Sequence, residues 1–154
     1  MLQDTASPPE VDAVPTTRPA QGNLLQGAIA GSISALIGAM LWAAVTVFTG
    51  YKIGLIAVAI GYFVAFGVRT VGQGRAPAFA ITGAALAFLG CVLGQALSLV
   101  GFFAQEMQAD YFTTLASFDF SLLPGVMQET ASMMDIVFYG IAIYEGWRLS
   151  RLPD

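Results

Sequence analysis

The residues that could carry chemistry in this chain are few, and their types exclude most reactions. The sequence has no histidine and a single cysteine, Cys91, so it can build neither a Ser-His nucleophile nor a His-ligated metal or haem site. It also lacks a P-loop, a dinucleotide-binding glycine fingerprint, a Cys-x-x-Cys pair and a nucleophile elbow. Asp119 and Asp135 lie outside the apolar runs or at their edge, away from the position of a paired-aspartate intramembrane protease. We therefore expect a protein that is not an enzyme and that holds no metal or cofactor.

Four polar residues remain as candidates for a functional contact. Glu145 and Arg148 are three residues apart, a spacing that lets them pair on one helix face and anchor it near the headgroups. Arg69 holds an equivalent position in an earlier apolar run, and it could reach Glu145 if the two helices pack side by side. Gln95 is the only large polar side chain well inside an apolar run. It is expected to hydrogen-bond to another helix or, alternatively, to contact a substrate.

Composition and the length of the apolar runs predict the elements that position these residues. Apolar residues make up 56% of the 154 residues and charged residues only 10%, whereas charged residues are roughly 25% of ordinary soluble domains. A domain of this size cannot hide so much apolar surface from water, so a soluble globular protein is excluded. Three runs, 24–48, 53–71 and 79–103, reach the length of about 20 residues that crosses a bilayer.

A fourth helix, over 132–150, is predicted on a different signal. Only nine uncharged residues separate Asp135 from Glu145, but Ser132-Met133-Met134-Asp135 has the pattern of a capping box that begins a helix. Such a helix would be roughly 25 Å long, which suits a short span, with an interfacial helix as the alternative. The expected fold class is all-α, an integral membrane four-helix bundle.

The distribution of basic residues predicts the orientation. Residues 1–22 contain four prolines, three acids and no apolar run, which is typical of a disordered cytoplasmic arm rather than of a signal peptide. With four spans, five arginines share one side and Lys52 alone occupies the other, the bias expected of a cytoplasmic face. Both termini, including the tail 151–154, are therefore expected in the cytoplasm. The five arginines are Arg18, Arg69, Arg75, Arg148 and Arg151.

Small residues recur along the predicted helices and form stripes on which helix backbones can approach closely in lipid. We expect these stripes to pack the helices of one chain, with association between copies as the alternative. The pattern Gly-x5-Gly-x-Arg occurs twice, at 61–69 and at 140–148, which suggests a two-helix unit used twice in parallel, as in some transporters. Two hairpins that only pack alike are the other interpretation. The expected packing residues are Gly27, Gly31, Ala35, Gly54, Gly61, Gly90 and Gly94.

The segment 104–131 is predicted to lie outside the cell membrane as an acidic amphipathic helix that ends at Pro124-Gly125. It contains four acids and no base, so it is poorly matched to anionic lipid. It is expected either to cap the bundle or to offer its apolar face to a partner protein. That face consists of Met107, Tyr111, Leu115, Phe118 and Leu122.

The run 50–61 (GYKIGLIAVAIG), followed by Gly67-Val68-Arg69, resembles small polytopic proteins of bacterial inner membranes. The resemblance implies a bacterial source and an inner-membrane location, and it assigns no activity and no residue role. Two functional hypotheses follow. The first is a non-catalytic scaffold or accessory subunit that engages another membrane protein or a copy of itself; the alternative is a small transporter or channel subunit. The formal charge of −4 argues against nucleic acid as a partner, so the expected partners are the lipid bilayer and membrane proteins.

Overall fold

The computed structural model describes residues 22–51, 53–130 and 132–153. Helices account for 84% of these residues, and no strand occurs among them, so the all-α fold class is confirmed. Of the predicted disordered arm, residues 1–22, only Gly22 belongs to the described residues. Lys52 also lies outside them. The helices are α1 (Leu24–Thr49), α2 (Leu55–Gly72), α3 (Pro77–Glu106), α4 (Tyr111–Ser117), α5 (Leu123–Thr130) and α6 (Met133–Leu149), with a 3-10 turn (Phe120–Leu122) before α5.

Three of these helices, α1, α2 and α3, are long and apolar enough to cross a membrane. Local signals set their ends. The Asn23 side chain accepts a hydrogen bond from Gln26 N at the start of α1, and Gly50 ends that helix with φ at 69°, a conformation that glycine adopts without strain. Helix α3 exceeds its predicted bounds at both ends. It starts at Pro77, two residues before the predicted run. Proline is tolerated in a first turn because the N–H groups there make no hydrogen bond within the helix.

The long helices pack around a centre formed by α2 and α3. Helix α1 contacts both of them on one side, and α6 contacts both on the other. The interior holds Trp42, Ile60, Val64 and Cys91, each at most 1% exposed. The Cys91 thiol lies 3.9 Å from the carbonyl oxygen of Ala57, so the single cysteine fills space between α3 and α2.

All seven of the predicted packing residues lie against another part of the same chain. A methyl group placed on Gly61 would lie 2.5 Å from the carbonyl oxygen of Ala142 in α6, which means that the α2 and α6 backbones are in direct contact. One placed on Gly90 would lie 3.2 Å from Cβ of Ala35, at the contact of α3 with α1. The small side chains thus set the interhelical distances within one molecule. The other contacts are Gly27 with Gly72, Gly31 with Val68, Gly54 with Phe138 and Gly94 with Trp42.

The two copies of the Gly-x5-Gly-x-Arg pattern share only part of their environment. Gly67 faces Ala30 in α1, and Gly146 faces Gly83 in α3, so the second glycine packs the two hairpins in the same way. The first glycines differ, because Gly61 touches α6 whereas a methyl group on Gly140 would meet nothing within 4 Å. The internal duplication therefore stays a prediction.

Helix α6 starts with the predicted capping box. Ser132 Oγ accepts a hydrogen bond from Asp135 N at 3.2 Å, and Asp135 Oδ2 accepts one from Ser132 N at 3.0 Å. The helix has 17 residues and is the shortest of the four long helices, one residue shorter than α2. It packs against α2 and α3 like a member of the same bundle, although only α1 to α3 have the length and composition of a membrane span.

The connection between α3 and α6 (residues 107–132) does not form the single amphipathic helix that the apolar spacing predicted. Helix α3 ends at Glu106, and Gln108 follows it with φ at 51°. The Asp110 side chain then starts α4 by accepting hydrogen bonds from Phe112 N and Thr113 N. Asp119 accepts a hydrogen bond from Ser121 N and starts the 3-10 turn. The predicted break at Pro124-Gly125 is wrong too, because these residues lie in the first turn of α5, where proline is tolerated.

Charges are separated along the helix axes. The start of α1, the end of α2, the start of α3 and the tail after α6 meet at one end, where Leu152 N donates a hydrogen bond to Gly74 O at 2.9 Å. All four arginines of the described residues lie in these elements or directly beside them: Arg69, Arg75, Arg148 and Arg151. We call this the arginine end. Five of the six described acids lie toward the opposite end: Glu106, Asp110, Asp119, Glu129 and Asp135.

Candidate functional site

Gln95 lines a cavity between α3, α5 and α6. Its side chain is only 5% exposed, and the cavity has a volume of about 230 Å³. Asp135 and Tyr139 from α6 line the same cavity, which α5 covers with Met127 and Gln128. The expected hydrogen bond from Gln95 to another helix is not formed with any described residue, because the amide faces this cavity instead of a neighbouring backbone. The cavity could therefore hold water or a small polar molecule against the amide.

Two further polar atoms are buried nearby without a hydrogen-bond partner in the described part of the chain, Trp42 Nε1 and Thr46 Oγ1 on consecutive turns of α1. The Trp42 ring packs edge-on against Tyr139 with 6.1 Å between ring centroids, and it also covers Gly94 beside Gln95. The sequence did not indicate Trp42, Thr46 or Tyr139 as candidates for a functional contact. The sequence of a regular helix does not show which of its polar side chains will meet those of other helices in the interior.

The predicted Glu145–Arg148 ion pair is not formed, and neither is the pair of Arg69 with Glu145. Within residues 22–51, 53–130 and 132–153, no arginine lies within 4.0 Å of a carboxylate. The Arg148 guanidinium instead lies over the Tyr144 ring at 6.0 Å from its centroid, a cation–π contact. Glu145 is three residues before Arg148 and Tyr144 is four residues before it, so both can reach the guanidinium on one helix face. In the structure the guanidinium contacts the Tyr144 ring.

The predicted partner face is divided between packing and exposure. Tyr111 Oη donates a hydrogen bond to Leu97 O at 3.3 Å, and the Phe118 ring packs on Phe103 at 5.7 Å between centroids. These two residues and Leu115 are half-buried and fix the connection to α3. Met107 and Leu122, by contrast, are 70% and 59% exposed. The segment therefore caps the helices and also presents apolar side chains.

Local hydrogen bonds favour the ionised form of Asp119. The Ser121 hydroxyl and backbone N–H hold the pKa of its carboxyl below the ordinary value. Because this pKa is lowered, the ionised Asp119 stabilises the 3-10 turn fully above the ordinary pKa of an aspartate. This stabilisation is lost as the pH falls through the lowered pKa.

We expect Tyr111→Phe to loosen α4 from α3. The change removes the hydrogen bond to Leu97 O, a contribution of about 1 kcal/mol, so hydrogen exchange of the α4 amides should speed up about fivefold. Burial raises the pKa of Tyr111 above 10.0, so the contact persists below pH 10 and is lost as the pH rises through the raised value. Tyr62→Phe, at an exposed position of α2, is the control. Unchanged exchange of α4 in Tyr111→Phe would contradict the contact.

No protein family, curated protein or solved structure matches this chain. Only the geometry of the described residues therefore indicates a function. That geometry offers three places: the Gln95 cavity, the connection over the ends of the helices, and the arginine end.

Proposed function

We propose that the protein is a non-catalytic integral membrane scaffold or accessory subunit that binds a partner protein through the connection between α3 and α6. The observation that carries this proposal is the exposure of large apolar side chains on a segment that is itself fixed to α3. Met107, Phe112 and Leu122 are 70%, 76% and 59% exposed. Exposed apolar groups on a folded segment are typical of a surface that another molecule covers.

The charge of this segment favours a protein over lipid as the covering molecule. Four acids, Glu106, Asp110, Asp119 and Glu129, lie in or beside the connection, and residues 104–131 contain no base. Amphipathic helices that lie on membranes carry Lys and Arg on their polar face, because anionic headgroups attract them. An acidic segment is repelled by the same surface. A partner with a basic rim around an apolar patch would satisfy both features.

The glycine stripes support the scaffold by packing the helices of one chain, as expected from the sequence. All five helix glycines among the predicted packing residues, Gly27, Gly31, Gly61, Gly90 and Gly94, contact another helix of the same chain. They are therefore not free to bind a partner or a second copy. Their role in the proposal is to hold the helices in one arrangement, so that the connection is presented in a fixed geometry.

Photo-crosslinking tests this proposal. A photoreactive amino acid at position 112 should give protein adducts in intact cells, and the adduct mass should distinguish a second copy of this chain from another protein. The same amino acid at position 33, which is exposed on α1, should give lipid adducts only. Lipid adducts at both positions, together with a monomeric mass after gentle solubilisation, would remove the scaffold proposal.

We further propose that α6 is the fourth membrane span and that both termini are cytoplasmic in a bacterial inner membrane. The four arginines at the arginine end support this orientation, since basic residues accumulate on the cytoplasmic side. An alkaline phosphatase reporter fused after Gly125 should be active, because that enzyme folds only outside the cytoplasm, and one fused after Asp154 should be inactive. Activity at both positions would show that α6 does not cross.

A second candidate function, a small transporter or channel subunit, is supported by the Gln95 cavity. Among the described residues the Gln95 amide has no hydrogen-bond partner, and it lines one cavity with Tyr139 and Asp135, where it would contact a small polar solute. Flux measured in liposomes that contain the purified protein should fall at least about tenfold in Gln95→Leu, which keeps the packing volume but removes the polar contact. Absence of any flux from the wild-type protein would remove this candidate.

A further inference from the structure

The arginine end contains a cavity of about 290 Å³ that three arginines line together. Arg69 comes from the last turn of α2, Arg148 from the last turn of α6, and Arg151 from the tail that follows. The other walls are apolar and are formed by Leu149, Leu152 and Pro153. We call this cavity the arginine pocket. We propose that the arginine pocket binds a phosphate group, carried either by an anionic phospholipid headgroup or by a small water-soluble molecule.

Arg148 and Arg151 are close in sequence, whereas Arg69 joins them only through folding. Helix α6 lies against α2 through the contact of Gly61 with Ala142, so the ends of the two helices are fixed side by side. The tail is held in turn by the hydrogen bond from Leu152 N to Gly74 O at 2.9 Å. Ser150, fully buried, donates its hydroxyl to Gly146 O and fixes the first residue of the tail. The pocket is thus built from elements that are anchored on both sides.

The positive charge of the pocket has no counter-charge in the part of the chain that the structure describes. Among the described residues, none of the three arginines lies within 4.0 Å of a carboxylate, and Glu145, the acid three residues before Arg148, forms no ion pair. The Tyr144 ring compensates only one guanidinium, that of Arg148. Like charges around one small cavity repel each other, and the repulsion grows where apolar walls lower the local dielectric. A bound anion would convert this repulsion into attraction.

The types of the lining residues and the size of the cavity favour a phosphate group as the ligand. Guanidinium groups present planar pairs of N–H donors that match phosphate oxygens, and arginine is the preferred residue for such bidentate contacts. The volume of about 290 Å³ lies at the lower limit of small-molecule sites, which suits one phosphate with a short attached group. The apolar wall of Leu149, Leu152 and Pro153 would contact the carbon part of that molecule. Basic pockets between membrane helices on the cytoplasmic side are typical sites of anionic headgroups.

Binding to the purified full-length chain in neutral detergent tests the proposal, with two arms that separate the sources of the phosphate. In the first arm, phosphatidylglycerol and phosphatidylcholine are titrated and the bound lipid is counted by native mass spectrometry. In the second arm, inorganic phosphate is titrated by calorimetry. Preference for phosphatidylglycerol without binding of inorganic phosphate identifies a headgroup site. Binding of inorganic phosphate alone identifies a site for a soluble ligand.

The variants decide whether the pocket is responsible. Each of Arg69→Gln, Arg148→Gln and Arg151→Gln should weaken binding about fivefold, and the triple variant about 100-fold. Arg75→Gln is the matched control, since Arg75 lies exposed at the same end but does not line the pocket. If the triple variant fails to fold by circular dichroism, Arg151→Gln alone decides, because it lies in the tail beyond α6. The proposal is overturned by absence of binding in both arms, by equal affinity of wild-type and pocket variants, or by equal weakening in Arg75→Gln.

Discussion

Gly146→Leu is expected to detach α6 from α3 and to destabilise the protein by about 3 kcal/mol or more. A methyl group on Gly146 would already lie 2.6 Å from the carbonyl oxygen of Gly83 and 2.9 Å from Cβ of Ala87. The clash is with the backbone of a central helix, which cannot rotate away as a side chain can. The midpoint of thermal unfolding in detergent should therefore fall sharply, and the sites lined by α6 should be lost with it.

Gly140→Leu provides the matched control on the same helix. Gly140 is exposed, and nothing lies within 4 Å of a methyl group placed there. Leucine is the better helix former by roughly 0.8 kcal/mol, so this change should leave the midpoint unchanged or raise it. Equal destabilisation by the two substitutions would show that the contact of Gly146 with Gly83 does not hold α6 in place.

Trp42→Ala should have an effect of similar size for the opposite reason, because it removes packing instead of adding it. Trp42 is the largest fully buried side chain, 1% exposed, and it joins α1 to α6 through Tyr139 and to α3 through Gly94. Truncation of such a residue leaves a cavity that costs about 3–5 kcal/mol. Denaturant titration followed by circular dichroism measures this loss.

Two other substitutions separate the packing of Trp42 from its polar atom. Trp42→Phe keeps most of the ring and removes the unpaired Nε1 atom, so its cost should stay below about 1.5 kcal/mol. Trp147→Ala changes the other tryptophan, which is exposed, and should alter stability by no more than about 0.5 kcal/mol. A loss in Trp42→Phe as large as that in Trp42→Ala would mean that the indole N–H has a bound partner, such as water.

The helices and their contacts were largely predictable, because each depends on a local property of the sequence. Apolar runs of sufficient length predicted α1, α2 and α3, and the spacing of glycine and alanine indicated which faces approach other helices. The capping box at Ser132 located the start of α6 to within one residue. The predicted run 79–103 begins two residues after the first residue of α3, Pro77, because proline also favours the first turn of a helix and the apolar run does not show this.

The connection was wrongly predicted as one helix because its apolar spacing and its capping aspartates indicate different structures. The apolar spacing from Met107 to Leu122 fits one helix, but Asp110 and Asp119 cap separate short elements with their side chains. Aspartate is a typical N-cap, so weighing these residues as caps would have divided the segment correctly. The assembly of Arg69 with Arg148 and Arg151 was not predictable in this way, since it depends on which helices become neighbours.

The burial of the single cysteine has a practical consequence. Cys91 is inaccessible between α3 and α2 and has no second thiol to react with in this chain. A maleimide can therefore alkylate the native protein only when these helices separate, so the labelling rate reports how often the interior opens. Wild-type protein, without any engineered probe, thus offers an intrinsic kinetic assay of conformational opening in micelles, liposomes or living cells.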